Sequence, residues 1–154
     1  MVMNSGPLII GCDHAAVRLK QAVVDFLKAQ DMEIKDVGAF SEDSVDYPDF
    51  GNQVASAVAA GQYPLGILIC GTGLGMSMVA NRYAHVRAAL CNDLFAARLS
   101  RLHNNANVLV MGGRVIGDIL ALEIVKTWLE TPFEGGRHQQ RIDKFDYLGQ
   151  AAPK

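Results

Sequence analysis

Residues 66–75, Gly66-Ile67-Leu68-Ile69-Cys70-Gly71-Thr72-Gly73-Leu74-Gly75, decide how the chain is read. The first five are apolar without a break, the pattern of a strand covered on both faces. Glycine then stands at every second position, 71, 73 and 75, and the segment to Asn81 has helical character. Strand, glycine turn and helix in that order form the repeating unit of a parallel α/β sheet. The same pattern recurs outward from this segment. Leu8 to Cys12 reads as a buried strand, and Ala16, Leu19, Val23, Phe26 and Leu27 follow at helical spacing. Met32 to Val37 alternates as a short strand, Gly38 to Pro48 is a polar, acidic loop, and Tyr47, Phe50, Val54, Ala57 and Val58 mark a helical face. Downstream, Val86 to Cys91 is a strand, Asn92 or Asp93 caps a helix running to about Leu102, and Asn107 to Met111 is the fifth strand. Ile119, Leu122, Val125 and Leu129 stripe the last long helix, which Pro132 ends. Gly135 to Lys154 is a polar tail with a helix expected around Gln139 to Tyr147. The order βαβαβαβαβα predicts one α/β domain over 1–154, with 135–154 as a C-terminal tail. Its architecture is a three-layer α/β/α Rossmann-like sandwich on a five-stranded parallel sheet with right-handed crossovers.

Composition narrows the function. Half of the 154 residues are apolar and 19% are charged, enough apolar side chain for a core without staples. The formal net charge of −2 argues against a general nucleic-acid binder. Cys12, Cys70 and Cys91 are odd in number and lack CxxC spacing, so neither a disulfide framework nor a zinc site is expected. A reducing cytoplasm fits that usage. The first ten residues have no basic region and no long apolar stretch, and no run in the chain is long enough to cross a bilayer. Charge is uneven: residues 1–97 hold 6 basic and 10 acidic side chains, residues 98–154 hold 8 and 6. Arg114, Arg137 and Arg141 belong to the late basic surplus, which reads either as a solvated surface or as a grip on a small anion.

In open α/β sheets ligands collect at the carboxyl ends of the strands. Cys12-Asp13-His14, Cys70 to Gly75, Cys91-Asn92-Asp93 and Gly112-Gly113-Arg114 all fall there. Three glycines let the backbone turn tightly and present amide N–H groups to an oxyanion. The loop is neither GxGxxG, since Met76 stands at the third glycine, nor a P-loop. A plain strand-to-helix turn accounts for it equally well. Cys70 is either an inert buried thiol or a base or nucleophile, and its place beside the loop favours the second. Asp13 and His14 read singly as a helix cap and a surface residue, and together as a sugar- or phosphate-binding pair. His103-Asn104-Asn105 reads first as a helix terminator, with a general acid as the functional alternative. Arg137 and Arg141, four apart, face one way on a helix and match a phosphate dianion.

Six segments in order carry a family resemblance: GCDHAAVRLK (11–20), DYP (46–48), GILICGTGLGMSMVAN (66–81), RLHNNANVL (101–109), GGRVIG (112–117) and EGGRHQQR (134–141). Together they resemble the type B ribose-5-phosphate isomerases and their relatives, the allose- and galactose-phosphate isomerases. The resemblance implies aldose–ketose isomerisation of a pentose phosphate, with no metal and no organic cofactor. It implies Cys70 as the base between C2 and C1. One subtype uses a glutamate where this chain has Met76, which cannot act as a base. It further implies the amides of Gly71, Thr72, Gly73, Leu74 and Gly75 around the enediolate oxygen, His103 as the acid that opens the furanose ring, and Thr72 assisting proton transfer. Asp13, His14 and Asn104 would bind sugar oxygens or phosphate, Tyr47 would line the pocket, and Arg114, Arg137 and Arg141 would hold the phosphate. His103-Asn104 and GGRHQQR favour ribose 5-phosphate over a hexose phosphate. A hexose-phosphate isomerase and a non-catalytic phosphosugar-binding module are the alternatives.

Topology adds an expectation of its own. Cys70 ends the third strand, at the carboxyl edge, whereas His103 precedes the fifth strand, at the amino edge. A five-residue strand separates those edges by about 17 Å. Either His103 is not catalytic or a second subunit brings it to Cys70. With the resemblance, the expectation is a homo-oligomer, dimer or tetramer, with composite sites and with neither nucleic acid nor membrane as partner.

Overall fold

The computed structural model describes residues 6–149. Residues 1–5 and 150–154, where the amino-terminal decapeptide begins and the polar tail ends, lie outside them. The strands are β1 (Leu8–Cys12), β2 (Ile34–Asp36), β3 (Leu65–Cys70), β4 (Ala88–Leu90) and β5 (Val108–Gly112). The helices are α1 (Val17–Lys28), α2 (Tyr47–Ala59), α3 (Leu74–Ala80), α4 (Leu94–Leu102), α5 (Asp118–Glu130) and α6 (Arg137–Ile142). All pairings are parallel, in the order β2-β1-β3-β5-β4. This is the three-layer α/β/α Rossmann-like sandwich that the alternation of elements predicts. No helix among the described residues is long and apolar enough to cross a membrane.

Strand alternation sorts the core into two layers. Leu8, Ile10, Ile67, Ile69, Leu109 and Met111 point to the face covered by α1, α4 and α5. Ile9, Leu68, Cys70, Val108 and Val110 point to the face covered by α2 and α3. Crossovers that step toward β2 or back from β4 use the first face, and those that step the other way use the second. That division keeps every crossover right-handed.

Three expectations need adjustment. The strands expected over 32–37 and 86–91 pair only over Ile34–Asp36 and Ala88–Leu90, because they are the sheet edges. The stripe on α5 is rotated: Ala121, Ile124, Val125, Trp128 and Leu129 are buried, while Ile119 is 84% exposed. The first turn of α5 starts at the carboxyl edge and overhangs the sheet. Beyond Gly135, α6 and a 3-10 turn (Asp143–Tyr147) are folded, and His138 is buried.

Trp128 is fully buried, with the Arg101 guanidinium 5.4 Å from its ring centroid. Trp128→Ala should therefore cost about 3–5 kcal/mol through the cavity it leaves, read as a lower urea midpoint at unchanged slope.

Candidate active site

Asp13 caps the 3-10 turn after β1 by accepting the Ala15 N–H at 3.0 Å, and its side chain is buried. His14 Nδ1 accepts the Val45 N–H at 3.1 Å. In the neutral ring this fixes the proton on Nε2, which is left as a donor. The same bond pins the 38–48 loop against the end of β1.

The loop after β3 is shaped by two steric requirements. Gly73 has φ +81°, and a Cβ there would lie 2.4 Å from Leu90 Cδ1 and 3.0 Å from the Met111 carbonyl carbon. A Cβ on Gly75 would lie 2.6 Å from the Tyr47 ring, so the missing side chain is what lets Tyr47 lie over the loop. Within this turn the Gly73 N–H donates to Cys70 Sγ at 3.2 Å, and the Leu74 N–H donates to Thr72 Oγ1 at 3.2 Å. An amide aimed at sulfur stabilises negative charge forming there. Arg114 lies alongside: its N–H donates to Gly71 carbonyl at 2.9 Å, and its Cδ is 3.6 Å from where a Gly71 Cβ would be. Met76 is fully buried, with its sulfur against Gly51 of α2.

Asp13, His14, Tyr47, Cys70, Gly71 to Gly75 and Arg114 thus meet at the carboxyl edge. The remaining candidates do not join them. Arg87 Nε donates to the carbonyls of Asn104 and Asn105 at 3.2 and 3.0 Å, and the Gly66 N–H donates to Asn107 carbonyl at 2.9 Å. These bonds hold the segment that follows α4 at the amino ends of β4 and β3. His103 closes α4 there, and α6 carries Arg137 and Arg141 beside it. Among the described residues, Arg114, Arg137 and Arg141 are exposed and none is in an ion pair.

Two further residues belong to this second group, and sequence reasoning assigned them no role. His138 stacks on His103 with ring centroids 4.2 Å apart and 9° between planes. Glu134 Oε2 lies 3.8 Å from His103 Nε2 and 3.6 Å from His138 Nε2. The Glu134-x-x-x-His138 spacing inside EGGRHQQR was the available signal. The three donor atoms are close enough to suggest a metal centre. In two stacked, nearly parallel rings, however, the in-plane lone pairs run side by side, and one ion cannot lie in both ring planes.

The other two cysteines are spent on packing. Burial pushes the Cys12 thiol up to about 12 and the Cys91 thiol up to about 11. Cys12 Sγ donates to Ala39 carbonyl at 3.7 Å.

Comparison with known proteins gives the family. The sequence pattern of the Ribose/Galactose Isomerase family matches residues 8–145. The chain belongs to this family of sugar isomerases. It is 46% identical to the ribose-5-phosphate isomerase B of Escherichia coli (strain K12) over 143 residues, 93% of this chain and 96% of that one. Among solved structures it resembles the Clostridium thermocellum ribose-5-phosphate isomerase B, with TM-score 0.91, 49% identity and coverage of 92% and 96% of the two chains. It also resembles the Mycoplasma genitalium ribose-5-phosphate isomerase B with bound ribulose 5-phosphate, with TM-score 0.90, 40% identity and coverage of 94% and 97%.

The three thiols should differ in reactivity. Iodoacetamide at pH 8 should label Cys70 while Cys12 and Cys91 stay unlabelled until the fold is disrupted, as read by peptide mass spectrometry. Labelling of Cys12 or Cys91 ahead of Cys70 in the folded protein would contradict the assignment.

Proposed function

We propose that the protein interconverts ribose 5-phosphate and ribulose 5-phosphate, with Cys70 as the base. The observation that carries this reading is the Gly73 amide aimed at Cys70 Sγ, in a turn flanked by Tyr47 and Arg114 at the carboxyl edge. His103 donates a proton to the furanose ring oxygen, the C1–O4 bond breaks, and the C1 hydroxyl loses its proton to solvent, leaving the C1 aldehyde; His103 regains its proton from solvent. The Cys70 thiolate takes the C2 proton, and the C2–H electron pair forms the C1–C2 double bond of an enediolate with the charge on O1. The thiol returns its proton to C1, and the proton on O2 passes to O1 with help from Thr72, leaving the C2 ketone. The loop amides other than those of Gly73 and Leu74, which serve Cys70 and Thr72, are the donors for the enediolate oxygen, a preorganised arrangement worth about 3–4 kcal/mol per donor. Asp13, His14 and Tyr47 hold the sugar.

The two groups of residues lie at opposite edges of the sheet, about 17 Å apart along a five-residue strand. One substrate cannot bridge them within a chain. The reading therefore includes a two-fold homodimer, in which Cys70 and Arg114 of one subunit face His103, Asn104, Arg137 and Arg141 of the other. Arg137 and Arg141 travel with His103 because α6 is docked on the end of α4. The phosphate is gripped from both subunits, and cytoplasmic carbohydrate metabolism is the setting.

Two experiments test this. Cys70→Ala and His103→Ala should each lower kcat, by about 10²–10⁴-fold for loss of the base. Mixing the two variants with subunit exchange should restore about a quarter of wild-type activity, since half of randomly mixed dimers hold one intact site of two. No recovery on mixing, or a Cys70→Ala enzyme of wild-type turnover, overturns the reading. Separately, Arg137→Ala or Arg141→Ala should raise KM for ribose 5-phosphate about tenfold or more. Weak turnover of unphosphorylated ribose should not change, and equal losses on both sugars would argue against a phosphate contact.

A further inference from the structure

Glu134 and His138 stand where no step of the isomerisation has used them. The Glu134 N–H donates to the Leu102 carbonyl at 3.0 Å, joining this segment to the last turn of α4. Gly135 and Gly136 follow at φ +71° and +54°, backbone that an L side chain rarely adopts, and they turn the chain into α6. That turn lays His138 face to face on His103 and leaves the Glu134 carboxylate beside both Nε2 atoms. His138 is only 5% exposed, and its Nε2 has no hydrogen-bond partner among the described residues. A buried nitrogen left unpaired costs stability that leucine or phenylalanine at the same place would not. Packing alone therefore does not account for histidine here.

We propose that Glu134 and His138 are positioning residues for His103: the His138 ring is the platform on which the His103 ring lies, and the Glu134 carboxylate fixes its rotation, so that its proton is presented to the sugar in one orientation. The proposal rests on His103 being the ring-opening acid. His103 itself is half-buried at a helix end, where an imidazole without a support samples several orientations. Proton transfer needs the donor held within a fraction of an ångström and some 10–20°. Electrostatics favour the same division of labour. Burial first, and then the His103 ring, lower the His138 pKa; Glu134 opposes this, and Arg137 and Arg141 add to it. A lowered pKa favours the uncharged His138 ring, which lies flat against His103 without like-charge repulsion.

A double-mutant cycle on ribose 5-phosphate turnover tests this. Because the furanose also opens unaided in water, a His103→Ala enzyme keeps a measurable rate. His138→Ala should lower kcat about tenfold, on the scale by which misplacement slows a reaction, with KM within about twofold of wild type. KM is the structural control, since Arg137 and Arg141 share α6 and a displaced helix would raise it. His138→Phe keeps a flat ring and should recover kcat to within about threefold. Glu134→Gln, nearly isosteric and exposed, should lower kcat at constant KM and serves if His138→Ala does not fold. In the His103→Ala background, His138→Ala and Glu134→Gln should each change kcat less than about twofold. Equal losses in both backgrounds, a wild-type kcat, or a rise in KM alone would overturn the positioning role. Full kcat in His103→Ala would instead overturn the ring-opening reading on which it rests.

Discussion

The in-register parallel pairing of β1, β3 and β5 is the constraint on which the carboxyl-edge site depends. Cys12 pairs with Ile69, and Cys70 with Gly112, so the three central strands end within one residue of each other. The loops that follow therefore emerge side by side. Their backbones are tied together: Asp13 N–H to Ile69 carbonyl at 3.2 Å, and Gly113 N–H to Cys70 carbonyl at 2.8 Å. Side chains alternate along a strand, so a slip of one residue in β3 would turn Cys70 from the α2–α3 face to the opposite one. The thiol would then sit with Cys12 and Cys91 among the aliphatic side chains under α1 and α5.

How much of this could be read from the sequence depended on whether the signal was local. The central strands are legible because both faces are covered, which demands an unbroken apolar run. Asp93 is legible as a cap because a side-chain oxygen must meet an orphan amide; it accepts the Ala96 N–H at 2.7 Å. The end of α4 at Leu102 follows from the polar residues after it. Strand order, by contrast, is not a local property, and β5 lies between β3 and β4 although it follows β4 in sequence. Neither is the burial of Lys20, whose Nζ meets Asp36 Oδ2 at 2.5 Å beneath the Phe40 ring. Helical spacing places Lys20 near the apolar face of α1, but nothing in that spacing names the acid and the ring that enclose it. On α5, Ile119 continues the apolar period into a turn with no sheet beneath it.

The site residues divide along the same line. Those at the strand ends announce themselves through glycine and polar residues following apolar runs. His138 and Glu134 carry no such mark, since their meaning depends on a reversal at Gly135 and Gly136 that brings α6 back to α4. Arg137 and Arg141 were legible as a pair through their spacing of four, but not as neighbours of His103. A parallel sheet sends every strand the same way, so whatever precedes a strand and whatever follows it are held apart. A chain of this topology that needs an acid and a base from both kinds of position has to find one of them elsewhere.

The loop pinned by His14 has an effect at longer range. Glu42, Asp43, Asp46 and Asp49 are all exposed along it and the first turn of α2, with Tyr47 among them. On the other side of the glycine turn stands the unpaired Arg114. The mouth of the site is thus polarised, with like charge to a phosphate on one lip and opposite charge on the other. A dianion diffusing up to it is repelled from the loop and drawn in along the arginine side. Its trajectory is set before any contact is made, and the oriented capture fades as salt screens the two lips.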